Sequence, residues 1–276
     1  MKMKPISRLQ IVVGLSQSST RHQAPKFLSA FGIALAIGIA LALPNVARAK
    51  SDQHNNRTGQ VYFAARVKAG NPTLGNRVKL CPIPGGGHCP THRYLVAGDV
   101  ALVNEVRGTQ AHIVFVNRVG KWSEGWLARA QLVRLPVSQE AQSGWAGTWA
   151  TDEKEIKIWQ SRGDGFLIAQ GTATWGADDP DRVQRGAVHL GDFLAKFRPH
   201  GDMAAFAEGD ETDHETGLLF RDSEGYVHKT LAFEAKRAFI CKVRLRKIGI
   251  YLVVEDNGNC GGANVTFSDV YRKIGR

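Results

Sequence analysis

The stretch "CKVRLRKIGIYLVVEDNGNCGGANVTFSDVYRK", from Cys241 to Lys273, contains the patterns that decide the fold class. Basic residues alternate with Val and Leu in "KVRLRK" (242–247), and a period of two is typical of a strand with one buried face. The apolar run "IYLVVEDN" (250–257) ends in the turn "EDNGNCGG" (255–262), whose Asn-Gly pair favours a tight hairpin. The stretch therefore predicts antiparallel strands joined by short turns.

Similar patterns extend upstream as far as residue 144. Short runs of alternating apolar and polar residues are separated by Gly-, Asp- and Asn-containing turns. About eight strands in about 130 residues predict an up-and-down antiparallel β-barrel or a sandwich over residues 144–276. The predicted strands are 154–161, 165–175, 186–199, 202–209, 217–223, 237–249, 250–257 and 264–274.

Residues 60–135 predict a smaller β-barrel. Apolar residues nowhere recur at helical spacing for three turns, and Gly and Asn punctuate the β-branched runs. The predicted strands are 61–67, 77–81, 99–106, 111–119 and 124–135. With a linker at 136–143, the chain is predicted to be all-β: a small barrel followed by a second antiparallel barrel or sandwich.

The N-terminal residues 1–49 have the pattern of a cleaved signal peptide. Basic residues precede the apolar run "FGIALAIGIALAL" (31–43), and Ala47 and Ala49 have the spacing that signal peptidase recognises. A membrane-spanning helix needs about 20 apolar residues, and this run ends at Pro44. We therefore expect export to the periplasm or secretion, with residues 50–59 as a disordered lead-in and no membrane span after processing.

All four cysteines, Cys81, Cys89, Cys241 and Cys260, lie beyond the predicted cleavage point. Disulfides persist in oxidising compartments, so the sequence separations favour two local bridges, Cys81–Cys89 and Cys241–Cys260. The stretch "CPIPGGGHCPTH" (81–92) leaves a metal site or a redox role open as alternatives. Its histidines match no familiar zinc spacing, and the chain has no Cys-x-x-Cys pair. No bound metal and no cofactor are predicted.

The net charge of +11 is concentrated at the N-terminus. Residues 1–49 hold six of the 36 Lys and Arg and none of the 25 acids, which leaves 30 basic against 25 acidic groups after cleavage. Residues 50–141 carry a net +7, and residues 142–276 a net −2. Export and this dilution argue against a nucleic-acid partner. The basic part suits anionic glycan, phospholipid headgroups or a protein, and the alternative is that its charge only maintains solubility.

The segments "AGDVALVNE" (97–105) and "SEGWLARAQL" (123–132) resemble the bacterial SH3-like domain. In that family a Gly-Asp turn starts a strand, and a Gly-Trp pair opens a strand before a short helical turn and a closing hydrophobe. The matching residues are Gly98, Asp99, Gly125, Trp126 and Leu132. The resemblance implies an SH3-like barrel that docks on peptidoglycan or an envelope protein, with Asp99 and Trp126 as candidate binding residues. The longer, cysteine-containing loop departs from the family pattern.

The second region also carries resemblances. "AGTW" (146–149) looks like the Gly-x-Trp start of calycin barrels, in which the Trp fills one end. The stretch 241–273 is similar to the C-terminal segment of exported proteobacterial proteins grouped with lysozyme-inhibitor-like families. These resemblances imply a calycin-like barrel that binds a protein, with a lysozyme as one candidate, or a small ligand.

Charged clusters in the second region are the remaining candidates for binding. "GDETDHET" (209–216) brings together Asp210, Glu211 and Asp213, and "ADDPD" (177–181) forms a second acidic turn. Both suit a cationic target, and for both the alternative is a solvated loop. Calcium binding is a further alternative for residues 209–216, which lack the periodicity of a calcium-binding loop. Arg244 and Arg246 lie on one face of a predicted strand, either as an anion-binding strip or as a solvated face.

These patterns predict an exported, non-enzymatic envelope-binding protein with no catalytic residues. One alternative is a peptidoglycan hydrolase that the SH3-like module targets to the cell wall, which a free Cys241 would favour. Another is a lipid or hydrophobe carrier, if the second barrel is hollow.

Overall fold

Alternating sequence folds into strands throughout the part of the chain that the structure, a computed structural model, describes: residues 62–68, 76–136 and 144–275. The predicted signal peptide (1–49), the lead-in (50–59) and residues 137–143 of the predicted linker lie outside these ranges. The strands are β1 (Phe63–Val67), β2 (Arg77–Lys79), β3 (Tyr94–Val96), β4 (Val100–Arg107), β5 (Gln110–Val116), β6 (Trp122–Ala128), β7 (Leu132–Arg134), β8 (Gly147–Thr151), β9 (Lys154–Gln160), β10 (Leu167–Trp175), β11 (His189–Phe197), β12 (Met203–Gly209), β13 (Gly217–Arg221), β14 (Val227–Leu231), β15 (Lys242–Ile248), β16 (Tyr251–Asp256) and β17 (Asp269–Ile274). The predicted all-β class is confirmed.

The first sheet has five antiparallel strands in the order β6-β5-β4-β1-β7. A 3-10 turn at Arg129–Gln131 joins β6 to β7, and β7 then pairs with β1. Strands β2 and β3 form a separate two-stranded ribbon. Val78, Leu80 and Leu95 from this ribbon and its flank pack into the core of the first sheet, so the ribbon covers one side of a small barrel.

The second sheet has ten antiparallel strands in the order β11-β10-β9-β8-β17-β16-β15-β12-β14-β13. It curls into a nearly closed barrel. Side chains of β12 and β14 bridge the remaining gap to β11. The main-chain N–H of Leu194 donates to Glu208 Oε1 at 3.1 Å, and that of Lys196 donates to Thr230 Oγ1 at 2.8 Å. Two N–H groups on the edge of β11 are therefore satisfied without a partner strand.

Aromatic side chains fill the interior of the second barrel. Trp145, Trp149, Phe193, Phe206 and Phe267 are each at most 2% exposed. The indole N–H of Trp149 donates to the carbonyl of Trp145 at 2.9 Å, which satisfies a polar group that would otherwise be buried alone. These side chains belong to one buried apolar cluster that forms the core of the second barrel.

A third apolar cluster joins the two sheets. Leu102 and Val114 from the first sheet pack with Tyr251 and Val270 from the second, and all four are fully buried. Arg272 Nη1 also donates to the carbonyl of Val116 at 2.9 Å. The two sheets therefore share part of their core in addition to the chain connection.

The structure differs from the predicted strands at specific places. The predicted strand 124–135 is interrupted by the 3-10 turn, and β3, β8 and β14 were not among the predicted strands. The acidic turn 177–181 begins a short helix, α1 (Pro180–Gln184), whose N-cap is Asp179. An Asp N-cap followed by Pro at the first helical position is a recognised start pattern, so the helix could have been predicted.

Candidate functional site

A cleft of about 670 Å³ opens on the second barrel beside the Cys241–Cys260 bridge. It is formed by β11, β12, β14, the turn after β16 and the loop 232–241 between β14 and β15. We call this loop the β14–β15 loop. Residues lining the cleft include Asp192, Glu208, Asp210, Glu211, His228, Arg237, Phe239 and Ile240.

Two carboxylates of the predicted acidic loop, Asp210 and Glu211, are exposed at the cleft. The third, Asp213, is turned inward, with a side chain only 7% exposed. It accepts a hydrogen bond from the main-chain N–H of Asp210 at 2.7 Å and forms an ion pair with Arg237. Asp213 thus holds the loop in shape, while the side chains of Asp210 and Glu211 are exposed at the cleft.

Glu208 is the second-to-last residue of β12 and adds a half-buried carboxylate to the cleft. Burial raises the pKa of Glu208 above its usual value of 4.5, and the neighbouring charge of Asp192 acts in the same direction. The hydrogen bond from the Leu194 N–H opposes this rise. The carboxylate therefore has two roles: it bridges the barrel edge, and it contributes negative charge to the cleft when ionised.

The basic groups at the cleft already have partners. Arg237 pairs with Asp213 and lies 3.7 Å from Asp210. His228 Nε2 lies 3.0 Å from Asp222 Oδ2, and this hydrogen bond lowers the pKa of the Asp222 carboxyl. The cleft as a whole is therefore acidic.

The structure places Asp99 and Trp126 in roles within the first barrel. Asp99 Oδ2 accepts a hydrogen bond from the Val96 N–H at 2.9 Å and so shapes the turn before β4. Trp126 is 6% exposed. Its main chain exchanges two hydrogen bonds with Cys81, at 2.8 and 2.9 Å, and the Arg107 guanidinium lies 5.1 Å from its ring. Trp126 thus ties the first disulfide loop to β6.

Arg244 and Arg246 lie on the outer face of β15 and alternate with the buried residues Val243 and Leu245. This is the predicted alternation. Each arginine has an acidic neighbour: Arg244 lies 3.7 Å from Glu255, and Arg246 lies 3.2 Å from Asp202. The positive charge of this strip is therefore partly compensated within the chain.

Both predicted disulfides, Cys81–Cys89 and Cys241–Cys260, are present in the structure. The bridge at Cys241 leaves it no free thiol, which was the feature that would have favoured the hydrolase hypothesis. Within the described ranges, no group of three or more His, Cys, Asp or Glu side chains is arranged to hold a metal ion. No helix in that part of the chain has the length and apolar composition needed to cross a bilayer.

Sequence reasoning found two residues that face the cleft, Asp210 and Glu211, and missed Asp192, Glu208 and Phe239. Asp192 comes from a strand that is distant in sequence, so only the fold brings it to the site. Glu208 stands at the end of a predicted strand, where a carboxylate next to "MAAFA" (203–207) could have been noticed as unusual. Comparisons with known proteins gave no match to a family model, a curated protein or a solved structure.

Proposed function

We propose that this chain is an exported cell-envelope binding protein whose acidic cleft binds a basic protein. The observation that carries the proposal is the cleft beside the second disulfide, in which Asp192, Asp210 and Glu211 are exposed. Of the basic groups beside them, His228 is paired with Asp222, and Arg237 is paired mainly with Asp213 and lies 3.7 Å from Asp210. A surface of this kind attracts cationic partners and raises their association rate.

Export is supported by the two disulfides and by the signal-peptide pattern of residues 1–49. An oxidising compartment is where two such bridges persist, and the periplasm or the cell exterior supplies it. A lysozyme is the basic protein that we select as the candidate partner, because the resemblance of residues 241–273 to lysozyme-inhibitor-like proteins implies one.

The first barrel is proposed as an SH3-like module that docks on peptidoglycan or an envelope protein. Support comes from the 3-10 turn between β6 and β7 and from Leu132 directly after it, which stand where the resemblance places a short helical turn and a closing hydrophobe. The ribbon of β2 and β3 exposes Arg77 and Lys79 on one face, and the Arg77 guanidinium lies 4.3 Å from the centre of the Tyr94 ring. This cationic face suits an anionic glycan.

Binding to a c-type lysozyme by residues 50–276, measured by calorimetry and by inhibition of cell-wall lysis, tests the cleft. We expect the double variant Asp210→Asn/Glu211→Gln to bind about tenfold more weakly. The matched control Asp178→Asn/Asp181→Asn removes the same charge outside the cleft and should bind as the native protein does. Equal loss in both variants would show that net charge, and not the cleft, drives binding.

Cosedimentation with purified peptidoglycan tests the first barrel. We expect binding that weakens as salt rises from about 0.05 to 0.5 M, because exposed charges are screened. Replacement of Arg77 and Lys79 by Gln should reduce it. Salt-independent binding would exclude the cationic face as its source.

A further inference from the structure

Phe239 is the most exposed large apolar residue in the described part of the chain, at 89%. It lies in the β14–β15 loop and lines the acidic cleft. A phenyl ring this exposed contributes little to folding, since burial is the source of hydrophobic stabilisation. Its position at the cleft therefore calls for an explanation other than stability.

The backbone at Phe239 is also strained. Its φ of 62° lies in the left-handed region, which is rarely adopted by bulky residues and costs about 1–2 kcal/mol relative to glycine. Fifteen glycines of the described chain have a positive φ, yet this turn carries a phenylalanine. Strain of this kind is concentrated at functional sites.

Residues on both sides of Phe239 fix the loop in place. On one side, Arg237 pairs with the buried carboxylate of Asp213. On the other, Ile240 packs against Ala207, Leu231 and Ala235, and its carbonyl accepts a hydrogen bond from Asn257 Nδ2 at 2.8 Å. Cys241, the next residue, is bonded to Cys260. The phenyl ring is therefore presented by a rigid frame.

We propose that Phe239 is the apolar anchor with which the acidic cleft binds its basic protein partner. This inference rests on the proposed function and names the side chain that dominates the contact. Interfaces obtain most of their affinity from a few aromatic or charged residues at the centre, surrounded by polar contacts. Asp210 and Glu211 attract the basic surface, and the Phe239 ring is buried against the partner or covers the aliphatic stem of its Lys or Arg.

Pre-organisation of the loop explains why the strain is tolerated. A loop whose backbone is already held in its bound position loses less conformational entropy on association. The Cys241–Cys260 bridge then has a functional consequence, because it holds Cys241, two residues after Phe239.

The test uses residues 50–276 with c-type lysozyme as the probe. We expect Phe239→Ala and Phe239→Gly to weaken binding by at least about tenfold. Phe239→Gly should keep or raise the midpoint of thermal unfolding, because glycine adopts the left-handed conformation without strain. Val119→Ala is the matched control, since Val119 is a 78% exposed apolar residue of the first barrel, and it should leave affinity unchanged.

Each outcome separates the two proposals. If the native protein binds lysozyme and Phe239→Gly binds equally well, the anchor is overturned and the proposed function stands. If the native protein does not bind, the lysozyme form of the proposed function fails, and the assignment of Phe239 fails with it. If Phe239→Gly lowers the unfolding midpoint as well as affinity, Phe239 has a structural role, and the anchor is overturned.

Discussion

The hydroxyl group of Tyr251 in β16 donates a hydrogen bond to the main-chain carbonyl of Val100 at the start of β4. The two residues belong to different sheets and are separated by 151 positions. Burial raises the pKa of the Tyr251 hydroxyl above its usual value, so the group stays protonated and able to donate. With the apolar cluster around it, this bond couples the two sheets energetically.

We expect Tyr251→Phe to lower the free energy of unfolding by about 1–3 kcal/mol, because the buried carbonyl loses its donor. The loss should appear in one cooperative transition, measured by urea denaturation followed by both fluorescence and circular dichroism. Tyr226→Phe is the control, since Tyr226 is 65% exposed. Two separate transitions, only one of them shifted, would contradict energetic coupling between the sheets.

Reduction of the Cys241–Cys260 bridge should destabilise the protein. The bridge joins residues 19 positions apart, and the loss of loop entropy in the unfolded chain predicts a contribution of about 3 kcal/mol. The double variant Cys241→Ser/Cys260→Ser should show this loss in chemical denaturation. Thiol titration of the denatured, unreduced native protein should find no free thiol. Stability equal to that of the native protein would show that the bridge acts only on the cleft.

The raised pKa of Glu208 predicts how stability depends on pH. A carboxyl group whose pKa is higher in the folded state contributes stability below its unfolded value, near 4.5, and loses it as pH rises through the folded value. Glu208→Gln keeps an acceptor for the Leu194 N–H and removes the buried charge. We therefore expect the variant to gain stability over the native protein between pH 4 and neutrality.

Denaturation at a series of pH values measures this difference. Glu208→Ala provides the contrast, because it leaves the Leu194 N–H without its acceptor and should be less stable than Glu208→Gln at every pH. A constant difference between the native protein and Glu208→Gln across the range would contradict the raised pKa.

Gly191→Ala should displace Cys260 and Gly261, which line the cleft. A Cβ atom at Gly191 would lie 2.6 Å from the carbonyl oxygen of Cys260, and a main-chain atom cannot move aside cheaply. We expect a loss of about 1–3 kcal/mol in stability, typical of overpacking, together with weaker lysozyme binding. Gly262→Ala is the control, since its Cβ would meet its nearest neighbour at 3.4 Å. Equal losses of stability and affinity in the two variants would show that the close approach of Gly191 to Cys260 is unimportant.

Local patterns were sufficient to predict the fold class. The alternation in 242–247 places Val243 and Leu245 inside and the basic residues outside, as a half-buried strand requires. The cysteine pairs were also accessible, because both are local in sequence and both lie in hairpin-like segments. Strand β14 was missed because "VHKTL" (227–231) looks polar, although Lys229 and Thr230 are buried there.

The cleft could be predicted only in part. Asp210 and Glu211 belong to a visible acidic run, whereas Asp192 reaches the cleft only through the pairing of strands. Nothing in the local sequence around Phe239 indicates a left-handed backbone, since neither glycine nor asparagine occupies the turn. The inward orientation of the Asp213 side chain depends on its ion pair with Arg237, which lies 24 positions away in the sequence. These features depend on tertiary contacts that a one-dimensional pattern does not contain.

The apolar cluster shared by the two sheets limits how this protein can have evolved. Replacement of the first barrel by an unrelated module would expose Tyr251 and Val270 to solvent. Replacement of the second barrel would expose Leu102 and Val114. Recombination between the two barrels would therefore yield hybrid proteins that fold poorly and aggregate through the exposed apolar surface. The two barrels are therefore expected to be inherited as one unit. A substitution in the shared apolar cluster on one barrel should favour a compensating substitution on the other.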